Sequence, residues 1–173
     1  MILIASDSFK GSLTSPQACN MIGEALYPYL ENEIIITKPI GDGGEGTAAA
    51  MIAAANGKWI KRRVTGPLEG MHVESGFGWF EKDKTAVVEM ASASGLTLLA
   101  KNQLNPLLTT TYGTGELIRS AIDYGAERIL LGVGGSATVD GGIGAAQALG
   151  WRFYDKKGKE IAFGGGELER INR

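Results

Sequence analysis

The sequence predicts an α/β fold, a mostly parallel sheet with flanking helices plus a β-rich insertion. Three observations carry this. Short aliphatic, β-branched runs alternate with segments of helical periodicity, the pattern of strand–loop–helix units. Polar, Gly-rich loops separate them. Between residues 58 and 90 the alternation gives way to consecutive strand-like runs, which read as an antiparallel insertion.

Ile2 to Ala5 is a short apolar run and reads as a buried strand. Thr14-Ser15-Pro16 is a helix start, a hydroxyl N-cap and then proline at the first helical position. Ala18, Met21, Ile22, Ala25 and Leu26 then recur at helical spacing, predicting a helix to about Leu30. Ile34-Ile35-Ile36 centres a strand over Glu33 to Lys38. Thr47 to Asn56 is Ala-rich and helical, ended by Asn56-Gly57. Lys58 to Thr65 alternates as a strand, Gly66 to Gly70 is a turn, and Met71 to Phe80 and Thr85 to Met90 are paired strands. Ala91 to Asn105 fits no single pattern. A helix starting at Thr114 or Gly115 runs to Asp123. Arg128 to Val133 is a strand, Ile143 to Leu149 a helix, and Trp151 to Tyr154 a strand. Gly164-Gly165-Gly166 leads into Leu168 to Arg173 with no packed terminal element in the pattern.

Composition narrows the function. Seventeen Lys and Arg face 19 Asp and Glu, a formal net charge of −2. A nucleic-acid or anionic-membrane binder would carry a basic excess. One Cys and one His, Cys19 and His72, exclude a disulfide framework, a Cys/His zinc site and a Ser-His-Asp triad with a histidine to spare. Cys19 reads as helix packing and His72 as a surface or packing residue of the insertion. No apolar run reaches the ~20 residues of a membrane span, and Met1 to Ala5 lacks a signal-peptide core. The expectation is a cytoplasmic protein. Twenty-six residues are glycine, about twice the usual ~7 %.

Those glycines cluster in loops, and loops at the C-terminal ends of parallel strands line the ligand crevice of an open sheet. Ser6 to Ser12 follows the first strand. Asp7, Ser8 and Lys10 there could meet a metal and a phosphate, or form an ordinary strand–helix loop. Gly41-Asp42-Gly43-Gly44-Glu45-Gly46 matches G-x-G-x-x-G, but two carboxylates would repel a pyrophosphate unless a cation intervened. Asp42 and Glu45 suit Mg²⁺, or hydrogen bonding to hydroxyls, better. Asn105 to Gly115 offers Thr109, Thr110, Thr111 and Thr114 with Gly113 and Gly115 before a helix, either an anion site or a capped helix start. Gly132 to Gly142 matches G-x-G-x-x-A, with Asp155 eighteen positions beyond Ala137, a Rossmann-like fingerprint for a nicotinamide dinucleotide. Equally, Gly134, Gly135 and Ser136 could cradle phosphates while Asp140 holds Mg²⁺ or acts as base. No Walker-type P-loop, protein-kinase motif set, H-E-x-x-H or G-x-S-x-G occurs. The Arg62-Arg63 pair reads as a solvated strand edge.

In order along the chain stand Asp-Ser-Phe-Lys-Gly-Ser-Leu at 7–13, Asp-Gly-Gly-Glu-Gly-Thr at 42–47, and Val-Thr-Gly-Pro-Leu at 64–68. Glu-Met-Ala-Ser-Ala-Ser-Gly-Leu at 89–96, Asn-Pro-Leu-Leu-Thr-Thr-Thr-Tyr-Gly-Thr-Gly-Glu-Leu-Ile at 105–118 and Gly-Gly-Ser-Ala-Thr at 134–138 follow. This set resembles the glycerate kinase type I family over essentially the whole chain. Val139 departs from the family's usual Asn, removing an amide donor and acceptor from that loop.

The resemblance implies ATP- and Mg²⁺-dependent phosphoryl transfer to a hydroxyl of glycerate, mostly giving 2-phosphoglycerate. It implies Lys10 on a phosphate or on the glycerate carboxylate, and Asp42, Glu45 and Asp140 as metal ligands or base. The Thr109–Gly115 loop and Gly134-Gly135-Ser136 would hold ligand anions. It also implies a two-domain architecture, of which this chain matches only the N-terminal half. Residues 1–65 would then be part of a Rossmann-like α/β domain and 66–173 part of a second α/β domain containing the antiparallel segment. Two other readings stand beside it: a nicotinamide-dependent oxidoreductase built on residues 132–155, and a non-catalytic half-domain completed by a homo-oligomer or by the missing C-terminal half.

Overall fold

The computed structural model describes residues 1–30 and 33–172. Strand β1 (Ile2–Ile4) pairs in parallel with β2 (Ile35–Thr37), Leu3 opposite Ile36. The connection between them contains helix α1 (Ser15–Leu26). Its start is the hydroxyl N-cap expected at Thr14, completed as a capping box by Gln17. Thr14 is the extended N-cap, the Gln17 amide N–H donates to its side chain, and Gln17 Oε1 accepts from the Thr14 amide. The helix ends at Leu26 and continues as a 3₁₀ turn over Tyr27–Tyr29, where Pro28 lacks an amide N–H to extend the helix. Gly23 lets α1 lie close on Ile4, Ile35 and Thr37, and Cys19 is fully buried in this contact.

Helix α2 (Thr47–Ala55) leads into β3 (Lys58–Thr65), β4 (His72–Phe80), β5 (Thr85–Glu89) and β6 (Arg128–Gly132). These four strands form one sheet in sequence order. The β3–β4 and β4–β5 pairings are antiparallel, the insertion expected over 58–90, and β5–β6 is parallel. The β3–β4 register runs from Lys58↔Trp79 to Thr65↔His72, so the hairpin spans the 65/66 position. Between β5 and β6 lie the one-turn helix α3 (Ala91–Ser94) and helix α4 (Tyr112–Tyr124). Helix α5 (Ile143–Ala148) packs on α4.

The core lies between one face of this sheet and α4. Val64, Phe77, Trp79, Ala86 and Val88 meet Leu117 and Ala121 there. Tyr124 closes the end of the layer, edge-on to Phe77 and Trp79. Arg62 is not merely solvated: its guanidinium lies over Phe77 and Tyr124 and its Nε donates to Ser120 Oγ. Helix α2 covers the opposite face, where Gly78 leaves room for Ile52 and Ala48.

Three expectations need correction. Helix α4 begins at Tyr112, before Thr114, so Gly113 and Gly115 lie inside it. A Cβ on Gly113 would stand 1.8 Å from the Thr65 carbonyl oxygen, and one on Gly115 2.4 Å from that of Ala145. Trp151 to Tyr154 forms no strand; only Tyr154 and Glu160 make an isolated bridge across the Asp155–Lys159 turn. Residues Gly165–Arg170 form a 3₁₀ helix docked by the Gly166 amide on the Leu107 carbonyl, while Arg173 lies outside the described residues.

Leu117 is fully buried against the sheet. Leu117→Ala is expected to lower the unfolding free energy by about 2–5 kcal/mol in urea titration. Lys82→Ala, in the exposed turn after β4, should change it by less than about 0.5 kcal/mol.

Candidate active site

The four Gly-rich loops divide into two kinds. Two present side chains to solvent, and two are internal framework.

The loop after β1 is open. Asp7 turns back on its own segment, accepting the Ser8 amide at 2.6 Å. Phe9 and Leu13 then exchange backbone hydrogen bonds of 2.9 and 3.0 Å around Gly11, which takes the left-handed φ of 76° this tight turn needs. The turn holds Lys10 outward, its Nζ 3.9 Å from Asp42 Oδ2. Both side chains are more than half exposed, so the pair adds little stability and both groups stay accessible. Between this turn and the start of α2 lies a groove of about 500 Å³, lined by Ser8, Phe9, Lys10, Leu13, Glu45 and Ala49 among others.

The loop after β2 carries Asp42 and Glu45. Asp42 Oδ1 accepts the Gly44 amide at 2.9 Å, leaving Oδ2 facing Lys10. Glu45 Oε1 accepts from Thr97 Oγ1 at 2.8 Å. Behind the loop the backbone meets the loop after β6. The Gly134 amide donates to the Gly43 carbonyl at 3.0 Å, and a Cβ on Gly134 would lie 2.8 Å from Gly44 Cα. Gly135 packs against Ala91, and its carbonyl accepts the Leu96 amide. Ser136 Oγ bonds Thr138 Oγ1. Gly134 and Gly135 therefore bring three loops together, and much of their backbone already faces protein.

The Thr109–Gly115 segment is framework too. Thr109, Thr110, Thr111 and Thr114 are buried. Thr109 Oγ1 donates to the Ala137 carbonyl, Thr110 Oγ1 accepts the Tyr112 amide, and Thr114 Oγ1 pairs with Ser94 Oγ. The expected anion cradle therefore has its hydroxyl groups engaged within the protein.

Asp140 is likewise built into the framework. It is 1 % exposed and does not join Asp42 and Glu45. The Thr111 amide and hydroxyl and the amides of Gly142 and Gly144 all donate to its carboxylate. Four donors meet this carboxylate, three at Oδ2 and one at Oδ1, so it is held by protein groups and not presented to solvent. Thr111 Oγ1 in turn accepts the Ala145 amide, so the cluster fastens the start of α5 to the start of α4.

Among the described residues no three His, Cys, Asp or Glu side chains converge as a ready-made metal site. Magnesium in phosphotransfer sites asks less, one or two carboxylates with water and phosphate oxygens completing the octahedron. Asp42, with an oxygen open toward solvent, and Glu45 beside it fit that demand; Asp140 does not.

Sequence reasoning missed Glu89 and Thr97. Glu89 ends β5, is 6 % exposed, and its Oε1 accepts the Ala48 amide at 2.6 Å. Burial raises its pKa above the usual carboxylate value, opposed by the amides of Ala48, Gly46 and Thr47 and reinforced by the Glu45 charge. The motif at 89–96 contains Glu89, but nothing local in it shows a partner 41 residues away.

The nicotinamide reading loses its acidic residue. Asp155 sits in a turn, accepting the amides of Lys157 and Lys159 and pairing with Arg170. The turn's amides and Arg170 hold its pKa below the usual value. No strand places Asp155 at a sheet edge to meet a ribose.

Residues 2–173 match the model of the glycerate kinase family. The chain is 49 % identical over 170 residues to a Bacillus subtilis protein named glycerate kinase, covering 98 % of this chain and 44 % of the relative. It is 46 % identical over 171 residues to the Escherichia coli glycerate 2-kinase, covering 99 % and 45 %. A solved structure from Salmonella typhimurium LT2, assigned as a glycerate kinase 2, superposes with a TM-score of 0.82 at 44 % identity, over 99 % of this chain and 46 % of that one. The chain thus spans about half the length of the curated relatives it matches.

Asp140→Asn turns an amide NH₂ toward backbone N–H donors. It is expected to cost about 1–3 kcal/mol of stability, read as an earlier urea midpoint, whether or not ligands are present.

Proposed function

The chain belongs to the glycerate kinase family, and on that premise we propose that it is the N-terminal half of an ATP-dependent glycerate kinase. The product we favour is 2-phosphoglycerate. One observation carries the reading: Lys10 and Asp42, from the loops after two parallel strands, face each other at 3.9 Å with both side chains open to solvent, and Lys10 and Glu45 line the groove beside them. A cation and a carboxylate so placed suit phosphoryl transfer, where positioning and charge stabilisation do most of the work.

In this reading Lys10 neutralises a phosphate oxygen or anchors the glycerate carboxylate. Asp42 and Glu45 hold Mg²⁺ or take the hydroxyl proton. Bound magnesium would supply charge neutralisation between the phosphates. The chain's own residues orient the acceptor and keep Lys10 and Asp42 in register through the Phe9–Leu13 turn and the Gly43–Gly134 contact. Asp140, Thr109–Gly115 and Gly134–Ser136 set the loop positions from behind.

Leu3 and Val133 are strongly exposed aliphatic side chains at and near strand ends. We read them as part of the surface on which the other half of a relative-length chain packs. No helix among the described residues is long and apolar enough to cross a membrane, and the cytoplasm is the compartment we assign.

The test is glycerate-dependent ADP release from Mg·ATP, by this chain alone and with the C-terminal half of a relative supplied. Lys10→Ala is expected to lower kcat/KM by roughly 10² or more with an unchanged melting temperature. Near-native kinetics for that variant would remove Lys10 from the site. ATP consumption indifferent to glycerate would remove the substrate assignment.

A further inference from the structure

Helix α2 begins on Gly46, whose φ of 90° is left-handed and which offers no side chain to cap the first amides. Those amides sit directly behind Asp42 and Glu45. Uncapped, the first turn would fray, and the loop it anchors would lose its position. The cap comes from elsewhere in the chain. Glu89, at the end of β5, directs its buried carboxylate to the Ala48 amide, with the amides of Gly46 and Thr47 also acting on it.

The segment that follows Glu89 makes a second tie. Thr97 Oγ1 donates to Glu45 Oε1 at 2.8 Å. Glu89 is also the register partner of Gly132 across β5–β6, and a Cβ on Gly132 would lie 2.5 Å from the Gly43 carbonyl oxygen. One strand end therefore reaches the Asp42/Glu45 loop both through the helix that follows it and through the glycine contact behind it.

We infer that Glu89 is a positioning residue, the group that sets the height and direction of the Gly41–Thr47 loop and with it Asp42 and Glu45. What the loop does rests on the kinase reading; that Glu89 holds it can be tested without catalysis. Glu89 belongs to neither the groove beside Lys10 nor the Lys10–Asp42 pair. Its carboxylate takes the Ala48 amide in the first turn of α2.

The deciding variants are Glu89→Met, which keeps length and bulk but has no acceptor oxygen, and Glu89→Gln, which keeps one. Amide hydrogen exchange is read residue by residue in the 173-residue chain. In Glu89→Met, exchange at residues 44–48 is expected to rise at least tenfold while residues 86–88 and 117–121 stay within twofold. Glu89→Gln is expected to bring 44–48 back to within threefold of the parent. If Glu89→Met does not fold, Glu89→Ala is read against the same thresholds. An unchanged 44–48 segment, or an equal rise throughout the sheet and α4, overturns the inference. Where the parent releases ADP, Glu89→Met should lower kcat at least tenfold with the KM for glycerate within threefold. A parent that releases none even with the C-terminal half of a relative supplied counts against the kinase reading, and the exchange result alone then decides for or against Glu89.

Discussion

The arrangement depends on a contact with no side chains in it. Gly43 and Gly44 of the loop after β2 lie against Gly132 and Gly134 at the end of β6, close enough that the Gly134 amide bonds the Gly43 carbonyl. A Cβ on Gly132 would come within 2.5 Å of that carbonyl oxygen, and one on Gly134 within 2.8 Å of Gly44 Cα. Such distances are open only to glycine, because any other residue would drive its Cβ into backbone that cannot yield. The contact joins the two-stranded β1–β2 sheet to the four-stranded one and fixes where Asp42 stands relative to Lys10. Much of the high glycine content is thus a packing requirement.

A second constraint repeats across the molecule. Helices α2 and α5 both start on a left-handed glycine, Gly46 and Gly142, neither with a side-chain cap. Each is met by a buried carboxylate, Glu89 for α2 and Asp140 for α5. A negative charge at a helix N-terminus is favourable, and buried amides require an acceptor. Glu89 and Asp140 are the two carboxylates among the buried polar side chains described. Both helix ends that motif reading would offer to a phosphate are therefore answered from within. On the neighbouring loops Lys10 and Asp42 stay exposed, with Glu45 half-buried beside them.

How much was legible follows from how local each cause is. The hydroxyl N-cap at Thr14 and the alternation over Lys58–Thr65 are contained in a few consecutive residues, and the elements formed there as read. The start of α4 was not legible, because Gly113 and Gly115 look like helix breakers. The close approaches to Thr65 and Ala145 that make glycine necessary lie far off in sequence. The three threonines at 109–111 read as hydroxyl donors for an anion because their partners, Ala137, Tyr112 and Asp140, cannot be paired with them by spacing. Trp151 to Tyr154 looked like a strand by composition, but the described chain provides no neighbouring strand for it to pair with. Lys10 and Asp42 were identifiable by residue type and loop position, while Glu89 needed the register of β5.

The same reasoning separates the two uses of one sequence pattern. G-x-G-x-x-A after a strand binds a dinucleotide only when the second glycine leaves its backbone open to a pyrophosphate and the following helix points its free amides there. Here the pattern at Gly132–Ala137 is followed by five further loop residues before α5 begins at Ile143. The glycine that should be open, Gly134, is covered by Gly43 and Gly44, and the amides at the start of α5 are turned on Asp140. What remains true is the location. The loops after β1, β2, β5 and β6 leave the C-terminal ends of strands in two parallel pairs, and contacts among them join the 41–47, 91–97 and 132–138 segments. Ligand chemistry belongs at that edge because backbone geometry gathers the loops there. The charged side chains that packing leaves most exposed there, Lys10 and Asp42, lie on the first two loops.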